Sequence, residues 1–85
     1  MTSLEWVLTR VLSGTRDANI RFGDLRRVLV HLGFAVRIKG GHHIFMHEDV
    51  PEILNLQPRG GKAKPYQVKQ VRDTIVRNRL AHDEE

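Results

Sequence analysis

The chain has 85 residues, no cysteine and a formal net charge of +4. A chain of this length forms one small domain with an open, shallow site, and without cysteine it has neither disulfides nor thiolate metal sites. Charged residues interrupt the apolar stripe of the N-terminal segment. We therefore expect neither a signal peptide nor a membrane span, and the composition fits a cytoplasmic protein.

Two helices are predicted in the first part of the chain. Apolar residues at intervals of three and four predict a helix over residues 3–13, followed by a connector over residues 14–21. Asp24 is predicted to cap a second helix that ends at Gly33. The apolar face of this helix consists of Leu25, Val28, Leu29 and Leu32.

Three strands and a last helix are predicted to follow. From Phe34 the apolar spacing changes to two, which is typical of a half-buried strand, and Gly40-Gly41 supplies a hairpin turn. Residues 42–47 and 53–57 are predicted as the second and third strands. After a flexible basic loop, Pro65 begins a helix with a buried stripe of Val68, Val71 and Ile75. This order predicts a two-layer α+β domain with one face of its sheet open for function.

His42 directly follows the turn glycines and is the candidate catalytic residue, because imidazole can take and give a proton near neutral pH. Strand alternation places it on the open face with Arg37 and Lys39. His43 falls on the opposite face with Phe45, where we expect one hydrogen bond to hold it as a structural residue. Neighbouring histidines of a strand point apart, and residues four apart are about 13 Å distant, so no metal site is predicted.

Residues 59–79 carry seven basic side chains and only one acidic side chain, that of Asp73. Such a surface favours a polyanion such as nucleic acid, although a solvated helix face has the same composition. Tyr66 stands near Lys64 and would either stack an unpaired base or anchor the start of the last helix. The candidate phosphate-binding residues are Arg37, Lys39, Arg59, Lys62, Lys64 and Lys69.

Four segments, in this order, resemble the HicA family of toxin ribonucleases over about residues 22–80. They are Leu32-Gly33-Phe34, Arg37-Ile38-Lys39-Gly40-Gly41-His42-His43-Ile44-Phe45, Asn55-Leu56-Gln57 and Lys62-Ala63-Lys64-Pro65-Tyr66-Gln67-Val68-Lys69-Gln70-Val71-Arg72, of which the last is similar to the longer subgroup. The resemblance implies a core like a double-stranded RNA-binding domain (α-β-β-β-α) over residues 22–80. Here an extra N-terminal helix and connector over residues 1–21 precede this core, and a flexible tail over residues 81–85 follows it.

The same resemblance implies an endoribonuclease that cleaves mRNA without a metal ion or other cofactor, with His42 as its catalytic residue. It also implies a HicB-like antitoxin that covers the active surface, and contact with DNA only indirectly through the antitoxin complex. Many family members have serine where this chain has Gly41, and shorter members have histidine where it reads Gln57-Pro58. The second acid–base group therefore stays open, with a water molecule or His47 brought round by a strand bulge as the alternatives.

Two other functions also stay open from the sequence. One is a noncatalytic RNA-binding module that uses the same basic face, and the other is a structural subunit that docks an acidic protein. Ile44 and Met46 are apolar on the predicted open face. They would either contact the antitoxin or lie beneath the N-terminal helix.

Overall fold

The computed structural model describes residues 3–81. Its helices are α1 (Leu4–Ser13), α2 (Phe22–His31) and α3 (Pro65–Arg77), and its strands are β1 (Ala35–Lys39), β2 (His42–His47) and β3 (Val50–Leu56). A short 3₁₀ turn, Asp17–Asn19, lies between α1 and α2. The strands form an antiparallel sheet in the order β1-β2-β3. This arrangement confirms the predicted α+β class, with α-β-β-β-α order and an extra N-terminal helix.

The start of α2 differs from the sequence prediction. The helix begins at Phe22, with Arg21 as its N-cap residue, so Asp24 lies in the first turn and is not the cap. The carbonyl oxygen of Arg21 accepts the backbone N–H groups of Asp24 and Leu25, both at 3.1 Å. The N–H of Phe22 instead donates to the carbonyl oxygen of Gly61 at 3.0 Å. A partner about forty residues away thus replaces the local cap that the sequence suggested.

The strand β3 begins earlier than the predicted residue 53. Val50 pairs with His47 directly after the short β2–β3 turn, and its side chain is buried in the core. Pro51 has no backbone N–H to donate to a neighbouring strand. It is compatible with β3 because β3 is at the edge of the sheet, where some N–H groups face solvent and are not needed for pairing. A register irregularity between Phe45 and His47 accompanies this early start.

The helices cover one face of the sheet. Phe45, Leu54 and Leu56 are fully buried on that face, and they join the apolar stripes of all three helices in one core. The predicted stripe of α3 is confirmed, since Val68, Val71 and Ile75 are all buried. The helix α1 also belongs to this core through Val7 and Val11. It therefore does not cover Ile44 and Met46, and this explanation of their apolar character is wrong.

The opposite side of the sheet, called the outer face below, carries side chains that are exposed or half-buried. It is formed by Ala35, Arg37 and Lys39 of β1, His42, Ile44 and Met46 of β2, and Ile53 and Asn55 of β3. The predicted division of the two neighbouring histidines between the faces is thereby confirmed.

The basic loop before α3 was expected to be flexible, but backbone hydrogen bonds tie it down. Arg59 and Lys62 exchange two backbone hydrogen bonds across Gly60-Gly61, at 2.9 and 3.1 Å. The N–H of Ala63 donates to the carbonyl oxygen of Ile20 at 2.9 Å, which attaches the loop to the segment before α2. At the C-terminus, Ala81 packs against the core, and residues 82–85 of the expected tail lie outside the described residues.

Candidate active site

His42 is placed by the β1–β2 hairpin. Gly40 and Gly41 both have positive φ angles, 56° and 86°, which glycine adopts without strain and which suit the tight turn of a two-residue hairpin. Lys39 and His42 form the pair that closes the turn. His42 is therefore the first residue of β2, exposed at the corner of the outer face, where a large substrate has free access to its ring.

The imidazole of His42 is held from the neighbouring strand. Its Nδ1 lies 3.0 Å from Oδ1 of Asn55, which is a good hydrogen-bond distance. Asn55 pairs with Ile44 in the β2–β3 register, so its side chain stands diagonally across the outer face from His42. This contact turns the ring towards β3 and leaves Nε2 as the nitrogen that can face a substrate.

Two cations of β1 lie beside this ring on the outer face. Lys39 is directly opposite His42, and Arg37 is opposite Ile44, one pair further along the hairpin. Both side chains are exposed. The structure thus brings Arg37 and Lys39 together with His42, where they can attract a phosphodiester to the imidazole.

The other two histidines of the hairpin are kept away from this corner. The His43 ring is on the core side, 4.8 Å from the Phe22 ring between centroids in an edge-on contact. Its buried Nδ1 has no hydrogen-bond partner among the described residues, so the single hydrogen bond expected for His43 is not formed at this atom. Aromatic packing holds this residue instead.

His47 lies at the far end of β2. Its Nδ1 accepts the N–H of Asp49 at 3.0 Å, so the ring proton is on Nε2, which donates to the carbonyl oxygen of Leu32 at 3.1 Å. His42 and His47 are five residues apart on one strand, or about 16 Å. The irregularity in β2 does not bring His47 to His42, and this alternative for the second acid–base group is wrong.

A cluster of three cations forms where the basic loop meets the chain before α2. Lys62 makes isolated antiparallel bridges to both Arg59 and Arg21. Bridged residues direct their side chains to the same side of the ribbon, and all three side chains are exposed. Arg21, Arg59 and Lys62 are called the basic cluster below. Arg59 is two residues after Gln57 in the chain, and the Nε2 of Gln57 is 3.9 Å from the position that a Cβ of Gly41 would occupy. The end of β3 that leads to Arg59 is therefore next to the turn before His42.

The remaining candidate residues are at and beyond the start of α3. Tyr66 is exposed, and the Nζ of Lys64 lies 5.8 Å from the centre of its ring. Lys69 is one turn further on and makes a 3.0 Å ion pair with Asp73. The structure thus places Lys64 and Tyr66 together next to the basic loop, whereas the charge of Lys69 is partly neutralised.

Two further cations of the 59–79 segment are engaged within the fold. Arg72 binds the Asp17 carboxylate through both of its terminal nitrogens, at 2.9 and 3.2 Å, and this hydrogen bond raises the pKa of the guanidinium above its usual value. Arg77 pairs with Glu52 of β3. These ion pairs make the net positive charge that residues 59–79 present to a ligand smaller than the sequence indicates.

Two residues of this region were missed by sequence reasoning. Asn55 was noted only as part of a family motif, and nothing in the alternation of β3 indicated that its amide meets His42. Arg21 was assigned to the connector, because its closeness to Lys62 depends on a pairing between segments forty residues apart. The sequence shows only how the charged residues are spaced along the chain, and this spacing does not reveal the pairing of Arg21 with Lys62.

Two other features are absent from the described part of the chain. Between residues 3 and 81, no three His, Asp or Glu side chains are grouped so that they could hold a metal ion. No helix in this range is long and apolar enough to cross a membrane.

The fold and the site define a small two-layer α+β domain that displays a histidine between cations on an open sheet face. The family model for the HicA toxin of bacterial toxin–antitoxin systems matches residues 22–75, from the start of α2 to the last buried turn of α3. The match covers more than half of the chain, which therefore belongs to the HicA toxin family. This family gives the protein the role of a toxin and implies an antitoxin partner. No curated protein and no solved structure gave a significant match.

Proposed function

We propose that this toxin is an endoribonuclease that cleaves mRNA, with His42 as its acid–base residue. The observation that carries the proposal is the geometry of His42, which is exposed, held at Nδ1 by Asn55 and placed opposite Lys39. Ribonucleases that need no metal require a group that moves a proton near neutral pH and cations that stabilise the phosphate, and the outer face supplies both.

The proposed reaction uses the neighbouring hydroxyl of the RNA itself. The 2′-oxygen attacks phosphorus, a new O–P bond forms, and the bond from phosphorus to the 5′-oxygen breaks. His42 Nε2 takes the proton of the 2′-hydroxyl, and solvent water protonates the leaving 5′-oxygen. Arg37 and Lys39 stabilise the charge that develops on the phosphate oxygens, and no metal ion or other cofactor takes part.

The basic cluster and the start of α3 extend this site for the rest of the strand. Arg59, Lys62 and Lys64 contact phosphates as proposed from the sequence, and Arg21 joins them through its bridge to Lys62. Tyr66 is exposed beside Lys64 and offers a face on which an unpaired base can stack. Lys69 contributes less, because Asp73 competes for its ammonium group.

We assign the toxin to the longer HicA subgroup and to the cytoplasm, where mRNA is accessible. Its partner is a HicB-like antitoxin that covers the outer face. Support comes from Ile44, Met46 and Ile53, which give that face an apolar surface next to His42 that no described segment covers. A protein bound to the outer face blocks the imidazole of His42 and at the same time buries this apolar area.

Incubation of the purified protein with single-stranded RNA in the presence of EDTA tests the proposal. Cleavage that persists in EDTA supports it. A salt-sensitive shift of the RNA without cleavage would indicate a noncatalytic RNA-binding module. If the RNA is neither cleaved nor shifted, the remaining function is that of a subunit that docks an acidic protein.

A further inference from the structure

The hydrogen bond between His42 and Asn55 has a direction that determines which nitrogen of His42 reacts. Oδ1 of Asn55 carries no hydrogen and can only accept, so the 3.0 Å contact assigns a proton to Nδ1 of His42. In the neutral ring this leaves the lone pair on Nε2. An imidazole in water prefers the opposite arrangement, so an ordered acceptor is needed to hold this one.

From this geometry we infer that Asn55 is a positioning residue for the reaction. It keeps the neutral imidazole of His42 in the Nδ1–H form and presents Nε2 to the RNA as the proton acceptor. The inference rests on the proposed function for its catalytic consequence. The form of the ring, however, is a property of the protein alone and can be measured without any substrate.

The acceptor at Nδ1 also suits the protonated state of the ring. When Nε2 has taken a proton, Nδ1 still carries its own hydrogen and still donates to Asn55 Oδ1. The same hydrogen bond is therefore present before and after proton transfer, and neither side chain has to rotate. A donor at this position would lose its partner at each protonation, so an acceptor is the chemistry that a recycling acid–base group requires.

The position of Asn55 makes this role specific to its side chain. Its backbone is fixed in β3 between the fully buried Leu54 and Leu56, which lock the strand to the core. The amide itself is exposed on the outer face and contributes no packing to that core. A change of the side chain therefore perturbs the His42 ring and leaves the sheet in place.

The spectroscopic test uses the full-length protein with ¹⁵N-labelled histidine. In the unsubstituted protein at a pH where His42 is neutral, we expect the Nδ1 resonance of a protonated nitrogen and the Nε2 resonance of an unprotonated one. The Asn55→Leu variant should lose this pattern and show the form that predominates in water. A ring with its proton on Nε2 in the unsubstituted protein would overturn the inference, whatever the RNA assay shows.

The kinetic test compares two variants of Asn55 in steady-state RNA cleavage. Asn55→Leu should lower kcat about 10-fold to 100-fold, the range for a misplaced catalytic group, with KM changed by less than about twofold. Asn55→Asp keeps an acceptor at the same place and should restore cleavage. Its pH–rate profile should move to higher pH, because a carboxylate beside the ring stabilises the protonated form.

The matched control is Asn19→Leu, the same chemical change at an exposed asparagine of the 3₁₀ turn that is outside the site. It should cleave RNA at the unsubstituted rate. Full activity in Asn55→Leu, or loss of activity in Asn55→Asp across its whole pH–rate profile with its fold intact by circular dichroism, would contradict an acceptor role. If the unsubstituted protein cleaves no RNA, the proposed function and the catalytic consequence fail, while the ring form measured by NMR still decides whether Asn55 holds His42 in the Nδ1–H form.

Discussion

Replacement of Arg72 by glutamine tests whether this cation serves the fold and not the RNA. Its guanidinium binds Asp17 at two atoms and also donates to the carbonyl oxygen of Val11 at 3.1 Å. These contacts join α3 to the end of α1 and to the 3₁₀ turn. The side chain is only 17% exposed, unlike the other cations of α3.

The size of the effect follows from these contacts. Hydrogen bonds that involve charged groups contribute about 1.5–3 kcal/mol when they are shielded from water, and solvent reduces this for a pair that is about one-fifth exposed. Loss of the guanidinium also leaves the Asp17 carboxylate without its partner. We therefore expect Arg72→Gln to lower the free energy of unfolding by about 2 kcal/mol, or roughly 8–16 °C in Tm for a domain of this size.

Urea unfolding monitored by circular dichroism, at pH 6 and pH 9, measures this change. Because the pKa of Arg72 is raised above its usual value, its contribution is complete below the unfolded pKa and is lost only in strongly alkaline solution. The deficit from this group should thus be equal at both pH values. The matched control is Lys69→Gln, which removes an exposed pair with Asp73 and should cost less than about 0.5 kcal/mol. If Arg72→Gln unfolds within 0.5 kcal/mol of the unsubstituted protein but weakens RNA binding, the structural role is refuted.

Three further predictions concern the site and its surroundings. Replacing Lys62 and Lys64 by alanine should reduce the slope of log affinity for single-stranded RNA against log salt by roughly 1.4 units, at about 0.7 for each of two phosphate contacts, and an unchanged slope would remove the loop from the RNA site. Gly41→Ser should lower stability by about 1 kcal/mol in thermal unfolding because its φ is 86°, and should not increase the cleavage rate; a faster enzyme would show that the missing hydroxyl limits catalysis. His43→Leu should be at least as stable as the unsubstituted protein and fully active, since the buried Nδ1 has no partner to lose; an inactive but folded variant would show that the roles of His42 and His43 are exchanged.

The sequence predicted those parts of the fold that depend on local patterns. The period-two alternation of β1 and β2 placed His42 and Phe45 on opposite faces, and the glycine pair between the strands identified the turn. The stripe of α3 was equally clear, because three buried residues at helical spacing and Pro65 at the first turn are local signals.

The errors arose where distant segments meet. Asp24 is a good capping residue in isolation, but a backbone bond from Phe22 to Gly61 starts the helix earlier. The basic loop contains two glycines and reads as flexible, yet its pairing with Ile20 and Arg21 holds it in place. Local propensity cannot include such partners.

The candidate site shows the same division. The position of His42, Arg37 and Lys39 on one face follows from strand geometry and was predicted. The capture of Arg72 by Asp17 and the contact of Asn55 with His42 join elements whose mutual distance only the folded chain fixes. Composition alone therefore overestimated the number of free cations and overlooked the partner of the imidazole.

The most direct test of the account is the cleavage rate of His42→Ala on single-stranded RNA in EDTA. The side chain is exposed and contributes one surface hydrogen bond, so the variant should stay folded, with stability changed by less than about 0.5 kcal/mol, and should still bind RNA and its antitoxin. Its cleavage rate should fall by a factor of roughly 10² to 10⁴, the usual contribution of a positioned acid–base group, and its expression should no longer arrest growth. A folded His42→Ala protein that cleaves RNA at the unsubstituted rate would contradict the central claim.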